Sequence, residues 1–264
     1  SLVETVIKSS ISTANYVNQT TINEHTGFSG TKTNVEVASI NSVNHLGLTA
    51  SGTLGNPSTT VQSSGTYAFA NQINFSGKLK AKFDANVIQT TDQVAEYIDT
   101  GRPSSSTLID AGTPDPFDGT ATQNSDSILQ IATSNDNVTF SSFTTFNTGE
   151  YIGRYFKFRV SFTSSDNKAR QLITQLSITA SLQERTESGA DITSLTGGKT
   201  VAYSSAFASS PSLNISGQNM ATGDTFTISN KTASGFTIEF FNSSGTSINR
   251  TFDFFAKGVG QIIT

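Results

Sequence analysis

Strict alternation of apolar and polar residues is the feature that most limits how this chain can fold. In residues 155–163 every second side chain is aromatic or aliphatic: Phe156, Phe158, Val160 and Phe162. Residues 78–88 repeat the pattern with Leu79, Ala81, Phe83, Ala85 and Val87, and residues 172–182 alternate in the same way. Successive side chains of a β-strand point to opposite faces, so each segment predicts a strand with one apolar and one polar face.

Turn signals separate these strands. Residues 127–134 predict a further strand, Asn135-Asp136-Asn137 a tight turn, and residues 138–140 the start of a return strand. Only 14% of residues are charged and 34% are hydrophobic, and Ser, Thr, Asn and Gly fill most of the remainder. This composition suits sheets with polar outer faces and suits helices poorly. The pattern therefore favours an all-β fold of the β-sandwich type.

Length and composition also exclude several classes of function. The 264 residues suffice for one large domain or two small ones, and the absence of cysteine removes disulfides, thiolate metal sites and cysteine nucleophiles. A net charge of −4 argues against nucleic acid as a partner, since phosphate binding needs clustered Lys and Arg. Because no run of about 18 apolar residues is present, we expect no membrane insertion. The start at Ser1 rather than Met indicates a fragment or a processed product.

Three regions are predicted along the chain. Residues 1–38 form an N-terminal connector, in which the apolar spacing of residues 1–17 fits either a short amphipathic helix or a linker. Residues 39–185 form the larger sandwich, interrupted by a loop at residues 100–126. The polar residues 183–198 mark a domain junction, and residues 192–264 form a small sandwich. Its five short strands are predicted at Lys199–Phe207, Ser212–Ser216, Thr225–Asn230, Phe236–Phe241 and Ile248–Ala256.

The stretch Gly235–Gly258 carries aromatic residues on more than one face. Two runs rich in Phe, Ile and Thr flank an Asn-Ser-Ser-Gly-Thr turn, which predicts a β-hairpin. In its second run Phe252, Phe254 and Ala256 share one face, and Asp253, Phe255 and Lys257 share the other. Phe241 and Phe255 are then left on the second face, where a further layer or a neighbouring chain would cover them. Burying each would contribute about 2 kcal/mol.

The sequence offers little for catalysis. General acid–base or nucleophilic chemistry needs a base beside its nucleophile, and neither His25 nor His45 follows a nucleophile motif. The carboxylates that could pair for glycoside cleavage show no distinguishing spacing and are interpreted as surface charges: Glu150, Asp166, Glu239 and Asp253. No Gly-rich phosphate loop follows a strand. We therefore predict that the protein is not an enzyme and needs no cofactor.

Two groups of polar residues are candidates for ligand binding. The loop Asp110–Asp118 holds three carboxylates but lacks the ligand spacing of a helix–loop–helix calcium site, so an ordinary turn is favoured over a metal site. In the C-terminal region, residues suited to sugar recognition surround the C-terminal strands, and the competing interpretation is that they form the polar outer faces of a sandwich. These residues are Tyr203, Asn219, Asp224, Asn230, Lys231, Asn249, Arg250 and Asp253.

Several of these segments resemble a known family. Lys199–Ser216, Asn230–Phe241 and Arg250–Gly258 are similar to the C-terminal module of phage host-specificity and central tail-fibre proteins, which has an H-type-lectin-like fold. The motifs that carry the likeness are the strand-Phe-x-x-x-Pro opening, Ser-Gly-Phe-Thr-Ile and Phe-Ala-Lys-Gly. Residues 153–160, 175–180 and 184–187 resemble the jelly-roll domain that precedes this module.

The resemblance implies a jelly-roll-like β-sandwich followed by a small lectin-like one, in a virion tail component that contacts the host. It implies a homotrimer that joins other tail proteins and binds a host-surface glycan or an outer-membrane protein. Phe241 and Phe255 would lie at the subunit interface. H-type lectins bind sugar between subunits, commonly with a Trp, and this chain has none. The alternatives are a structural spacer without a ligand and, third, a carbohydrate-active enzyme using Glu239 and Asp253.

Overall fold

The structure, a computed structural model, describes residues 4–8, 15–40, 42–52, 59–94 and 124–263. Over these ranges the chain is all-β and antiparallel and contains no helix, which confirms the predicted fold class. The strands are β1 (Glu4–Lys8), β2 (Tyr16–Asn23), β3 (Thr31–Thr33), β4 (Val35–Ile40), β5 (Val43–Leu48), β6 (Ala50–Ser51), β7 (Thr60–Val61), β8 (Ser64–Ala68), β9 (Ile73–Gln93), β10 (Ser125–Ser134), β11 (Thr144–Thr145), β12 (Gly149–Ser164), β13 (Ala169–Thr193), β14 (Lys199–Ala202), β15 (Ser212–Gln218), β16 (Thr225–Ser229), β17 (Gly235–Phe241), β18 (Ser247–Ile248) and β19 (Thr251–Val259).

The first module comprises β1–β12 and residues 169–183 of β13. Its sheet runs in the order β11-β10-β12-β9-β13, and the long strands change partners along their length. Strand β12 pairs with β9 at its start and with β8 towards its end. Strand β13 pairs with β9 on one side and with β5 and β2 on the other. These exchanges produce a layered arrangement of sandwich type around the buried side chains.

The alternation predicted from sequence decides which side chains fill this module. Phe156, Phe158, Val160 and Phe162 of β12 are all buried, as are Leu79, Ala81 and Phe83 of β9. They divide between two adjoining apolar clusters, one around the Phe83 and Phe156 rings, whose centroids lie 4.6 Å apart, and one around Tyr67 and Phe28. Apolar faces of neighbouring strands are thus removed from water together, which is the main stabilising contribution to such a fold.

The second module comprises residues 184–193 of β13 together with β14–β19. Two sheets face each other, one in the order β13-β19-β15 and one in the order β14-β17-β16, with β18 paired to β17. Between them lies an aromatic core that includes Tyr203, Phe207, Phe236, Phe240, Phe252 and Phe254. Residues 184–193, predicted as part of a polar junction, form strand and pair with β19 instead.

The predicted hairpin at Gly235–Gly258 is wrong. The turn after Phe241 closes only the short ladder between β17 and β18, and the chain then crosses to the opposite sheet as β19. The two runs therefore face each other across the core, with ring centroids 5.4 Å apart for Phe236 and Phe254. For Phe240 and Phe252 the separation is 5.8 Å. Two apolar faces bury more surface when stacked than when placed side by side in one sheet.

Of the two alternatives for residues 1–17, a helix or a linker, the helix is wrong where the structure describes them, at residues 4–8 and 15–17. Residues 4–8 form β1, which pairs with β9, and Tyr16–Asn23 form β2, which pairs with β13. Residues 31–40, within the predicted connector, form β3 and β4 and join the first module. The spacing of apolar residues in 1–17 fits one face of a helix, but pairing with strands β9 and β13, which are distant in the sequence, decides the structure instead.

The return strand predicted at residues 138–140 does not form. Asp136 accepts hydrogen bonds from the backbone N–H groups of Val138 and Thr139, both at 2.8 Å, so these groups face the turn rather than a neighbouring strand. These hydrogen bonds and one from Ser134 hold the pKa of Asp136 down at about 2. The backbone N–H of Ser141 donates to the Thr133 carbonyl of β10 at 2.9 Å, and regular pairing with β10 resumes at β11.

A fully buried Arg170 connects four elements of the first module. Its guanidinium donates to Glu36 at 2.7 Å, to Asp92 at 3.1 Å and to the carbonyl of Leu48 at 2.8 Å. A buried cation stabilises only while its partners remain in place, because its desolvation must be offset by them.

Replacing Arg170 by Met tests this ion cluster. Arg170→Met keeps much of the side-chain volume but leaves Glu36 and Asp92 without their cation, so we expect the free energy of unfolding to fall by about 3 kcal/mol in urea denaturation. Lys80→Met is the matched control, because the Lys80–Glu150 pair at 2.5 Å is solvent-exposed on both sides. Its expected cost is below about 1 kcal/mol. Equal decreases in the free energy of unfolding in the two variants would contradict the proposed stabilising role of the Arg170 ion cluster.

Candidate functional site

Four polar residues meet at one end of the second module, and we call them the Arg250 cluster: Ser194, Asp224, Asn249 and Arg250. Arg250 donates from Nε to Asp224 at 2.7 Å, and its backbone N–H donates to the Ser194 hydroxyl at 2.8 Å. Asn249 accepts from the Thr196 hydroxyl at 3.1 Å. Ser194 directly follows β13, Asp224 directly precedes β16, and Asn249 and Arg250 directly precede β19, so the cluster lies where the ends of these three strands meet.

Local turn geometry holds Asp224 in position. Its carboxylate accepts from the backbone N–H of Ala221 at 2.7 Å, and its own N–H donates to the Ala221 carbonyl at 3.1 Å. The Ala221 hydrogen bond lowers the pKa of Asp224, partial burial opposes this, and the Arg250 guanidinium lowers it further. The carboxylate is thus ionised and already engaged within the chain at neutral pH.

Asp253 forms a second polar group on the outer face of β19. Its carboxylate accepts from the Gln218 amide at 2.8 Å and from the Asp191 backbone N–H at 2.8 Å. The same Gln218 amide also donates to the Asp191 side chain at 3.1 Å. Two carboxylates therefore share one amide donor, an arrangement that orients the Gln218 side chain across the sheet surface.

The three predicted asparagines occupy different places. Asn219 follows β15, whose last residue pairs with Thr251, so it lies at the same end of the sheet as Arg250. Asn230 follows β16 at its other end, beyond Ser229, and is separated from Asp224 by the length of that strand. Asn219 and Asn230 both have a positive φ, 54° and 50° respectively, a conformation that asparagine tolerates better than most residues. Their presence therefore has a structural reason in each turn.

Tyr203 lies in the core rather than on the surface. Its ring packs edge-on against Phe207 at 5.1 Å and also contacts Phe236 and Phe254. The hydroxyl is buried without a hydrogen-bond partner, and burial raises the pKa of Tyr203, with the nearby Glu187 carboxylate adding to the effect. A ring enclosed in this way offers no face for stacking against a sugar.

The two residues predicted at an interface lie on opposite outer faces of the second module. Phe255 is 49% exposed on β19, the middle strand of its sheet, between Ser188 of β13 and Asn214 of β15. Phe241 lies at the end of β17 in the other sheet, opposite Thr225, and is partly buried. One neighbouring chain cannot cover both faces through a single flat contact.

Sequence reasoning missed an apolar strip along one side of the module. Phe226 and Ile228 of β16 point towards the core, yet they are 39% and 38% exposed, and Met220 is 37% exposed. In the part of the chain that the structure describes, β16 pairs only with β17 and β15 only with β19. We call β15, β16 and Met220 the open edge. The alternation in β16 was visible in the sequence, but its position at the edge of a sheet was not.

The remaining acidic candidates are distributed over the molecule. Glu150 accepts hydrogen bonds from Lys80 and from the Tyr16 hydroxyl, and both lower its pKa. The hydrogen bond to Glu150 raises the pKa of Tyr16 to about 12. Asp166 accepts from the Lys168 backbone N–H at 2.9 Å in a turn. Glu239 lies on the outer face of β17, opposite Thr227. No two of these carboxylates share a site.

The two histidines, His25 and His45, lie in the first module. His45 contacts the Val43 carbonyl at 2.8 Å, and Nδ1 of His25 is buried without a partner. Among the described residues, no group of three or more His, Asp or Glu side chains could hold a metal ion, and no helix there is long and apolar enough to cross a membrane. The acidic loop Asp110–Asp118 lies outside the described residues.

Comparisons of the chain with models of protein families, with curated proteins and with solved structures find no match. The expected relation of the segments 199–216, 230–241 and 250–258 to phage tail proteins therefore stays a prediction from sequence motifs.

A titration of Asp224 tests how the Arg250 cluster is held together. We expect its carboxyl to titrate below 3.8, the value for an unperturbed group, in a pH series followed by carboxyl-carbon NMR. In Arg250→Gln the midpoint should rise but remain below 3.8, since the Ala221 hydrogen bond persists. Because the folded pKa is lowered, its contribution to stability is present above the unfolded pKa and is lost as the pH falls through the folded one.

Arg159→Gln serves as the control for this titration. Its guanidinium lies 4.2 Å from the centre of the Phe143 ring and donates to Gln130 in the first module. The Asp224 midpoint should be the same in this variant as in the native chain. An unchanged midpoint in Arg250→Gln would instead show that Arg250 does not influence Asp224.

Proposed function

We propose that this protein is a non-enzymatic component of a phage tail fibre or tail tip, located in the virion. Its second module mediates self-association, as a homotrimer, and contributes to recognition of a host-surface receptor of the glycan class. The observation that carries the proposal is the open edge, two uncharged edge strands with half-exposed apolar residues. The similarity of the segments 199–216, 230–241 and 250–258 to tail-fibre proteins, with their jelly-roll and lectin-like modules, supports it.

The open edge favours pairing with another chain. An edge strand presents unpaired N–H and C=O groups, and soluble proteins usually protect it with charged residues, proline or a bulge. The strands Ser-Leu-Asn-Ile-Ser-Gly-Gln and Thr-Phe-Thr-Ile-Ser contain none of these. Covering Phe226 and Ile228 would remove further apolar surface from water, each contributing about 1 kcal/mol because each is already more than half buried. A second copy of the chain is the partner that a fibre protein always has beside it.

Receptor binding is proposed at the Arg250 end of the module. Asn219 and Asn249 are exposed there, and their amides can both donate and accept hydrogen bonds, as sugar hydroxyl groups require. The Arg250 guanidinium remains partly exposed beside them. Subunits that meet along the open edge would bring several copies of this end close together.

A spacer without a ligand is the second candidate function. It is favoured by the engagement of Asp224, Arg250 and Asp253 within the chain, which leaves few of their polar groups for a ligand. The enzymatic alternative has less support, since Glu239 and Asp253 lie on outer faces of different sheets. The remaining two candidates make different predictions about binding.

Self-association is tested by sedimentation velocity of the full chain at micromolar concentration. We expect a trimer for the native chain and a folded monomer for Phe226→Glu/Ile228→Lys, because charges on the open edge oppose pairing. Leu195→Glu is the matched control, since Leu195 is 54% exposed outside the open edge, and it should stay trimeric. A native chain that sediments as a monomer would falsify the proposed assembly.

Receptor binding is tested by applying the trimer to arrays of bacterial envelope glycans. We expect binding that Asn249→Ala weakens at least tenfold in apparent affinity, corresponding to about 1.4 kcal/mol. Asn135→Ala, an exposed turn residue of the first module, should leave binding unchanged. If intact trimers bind no glycan and no host cell, the spacer function is favoured instead.

A further inference from the structure

After β19 the chain leaves the second module. Residues 260–263 return to the first module, where Ile262 forms an antiparallel bridge with Leu79 of β9. The backbone N–H of Ile263 donates to the Lys78 carbonyl at 2.8 Å. We call Gly260–Ile263 the clasp, because it begins in one module and pairs with a strand of the other.

Backbone hydrogen bonds anchor the clasp on both sides. Gly260 donates to the Gln183 carbonyl at 2.8 Å, where β13 passes from one module to the other, and Ile262 donates to the Ala206 carbonyl at 2.9 Å. Ala208, from the loop after β14, donates to Val259 at 2.9 Å and accepts from the Ser76 hydroxyl at 2.7 Å. The clasp and this loop together contact β9 and β13.

Apolar packing accompanies these hydrogen bonds. Ala208, Val259 and Ile262 pack against the core cluster of the first module that contains Leu79 and Leu182. At Gly77 of β9, a Cβ would lie 2.8 Å from Cδ1 of Ile262, so the absence of a side chain there provides the space that Ile262 fills. Both modules therefore contribute to this contact, the first with the space at Gly77 and the clasp with the Ile262 side chain.

The path of the clasp also requires a particular backbone conformation. Gly260 has φ +68°, a left-handed conformation that favours glycine, and a Cβ at this position would lie 2.9 Å from the Cβ of Ala208. The turn at Gly260 directs the chain away from β15 and β13 and towards β9.

We propose that the clasp fixes the orientation of the second module relative to the first. Strand β13 is otherwise the covalent connection between them, and a single strand can bend and twist. The clasp is hydrogen-bonded to Gln183 and Ala206 and also to Lys78 of β9, which gives the second module a second attachment to the first. This attachment restricts the bending and twisting of β13 between the modules. The Arg250 end of the second module and the open edge then keep a fixed direction relative to the first module. The clasp does not depend on the proposed phage function.

The absence of cysteine makes a distance measurement straightforward. Spin labels at Asn135→Cys and Ser244→Cys, both in exposed turns, report the separation of the two modules by pulsed electron paramagnetic resonance. The labelled chain is co-expressed with an excess of the native chain, which has no cysteine, so that distances between subunits do not contribute. We expect one narrow distance distribution in the native chain. In Ile262→Asp the distribution should broaden roughly twofold, and exchange of the Ile263 amide should accelerate by on the order of tenfold or more.

Gly77→Val acts on the same contact from β9 and should have the same two effects. The matched controls are Val138→Asp, at an 83% exposed position, and Gly149→Val, a strand glycine whose Cβ would meet only the Asn147 carbonyl at 3.9 Å. Neither control should alter the distance or the exchange rate.

Three results would overturn the proposal. The native distribution could already be broad, or both clasp variants could leave the distances and the exchange unchanged. If Ile262→Asp and Gly77→Val each unfolded the whole chain, as judged by circular dichroism, the segment would belong to the common core and would not act as a clasp. Broadening in either folded variant, with unchanged controls, supports the clasp.

Discussion

Continuous pairing along β13 is the constraint on which both modules depend. This strand is 25 residues long, whereas most strands have about 5–6, and it pairs in turn with β9, β2 and β19. Buried backbone N–H and C=O groups have to find partners, so each neighbour takes its register from this one strand. The second sandwich is therefore built onto an extension of the first, and Arg185 and Glu187 of that extension contact the loop that follows β14. The two units share a strand instead of a linker.

The strands themselves were largely predictable from the sequence. The buried faces of β9, β12 and β19 follow the two-residue period, including the inward Phe252 and Phe254 and the outward Phe255. This works because the alternation depends only on residues adjacent in the chain. Which strand pairs with which was less predictable, and the expected hairpin of β17 with β19 was wrong. Both arrangements bury the same faces locally, and only the fit of two complete sheets separates them.

The candidate site shows the same division. Residue types suited to polar recognition were identifiable, and the structure brings Asn219, Asp224, Asn249 and Arg250 to one end of the second module. It places Tyr203 in the core and Asn230 at the far end of β16, because a short strand separates residues that are close in sequence. The open edge was missed for a related reason. A Phe at an inward position is buried in a central strand and half-exposed at an edge.

The sequence by itself determined the fold class and the faces of the main strands, because these follow from composition and from neighbouring residues. Only the tertiary structure decided that β13 runs through both modules, that β17 and β19 face each other across a core, and that residues 260–263 return to β9. Each of these is a pairing between segments distant in the chain. Many such pairings satisfy the local pattern, and the one that occurs buries the apolar faces and pairs the backbone of all the strands together.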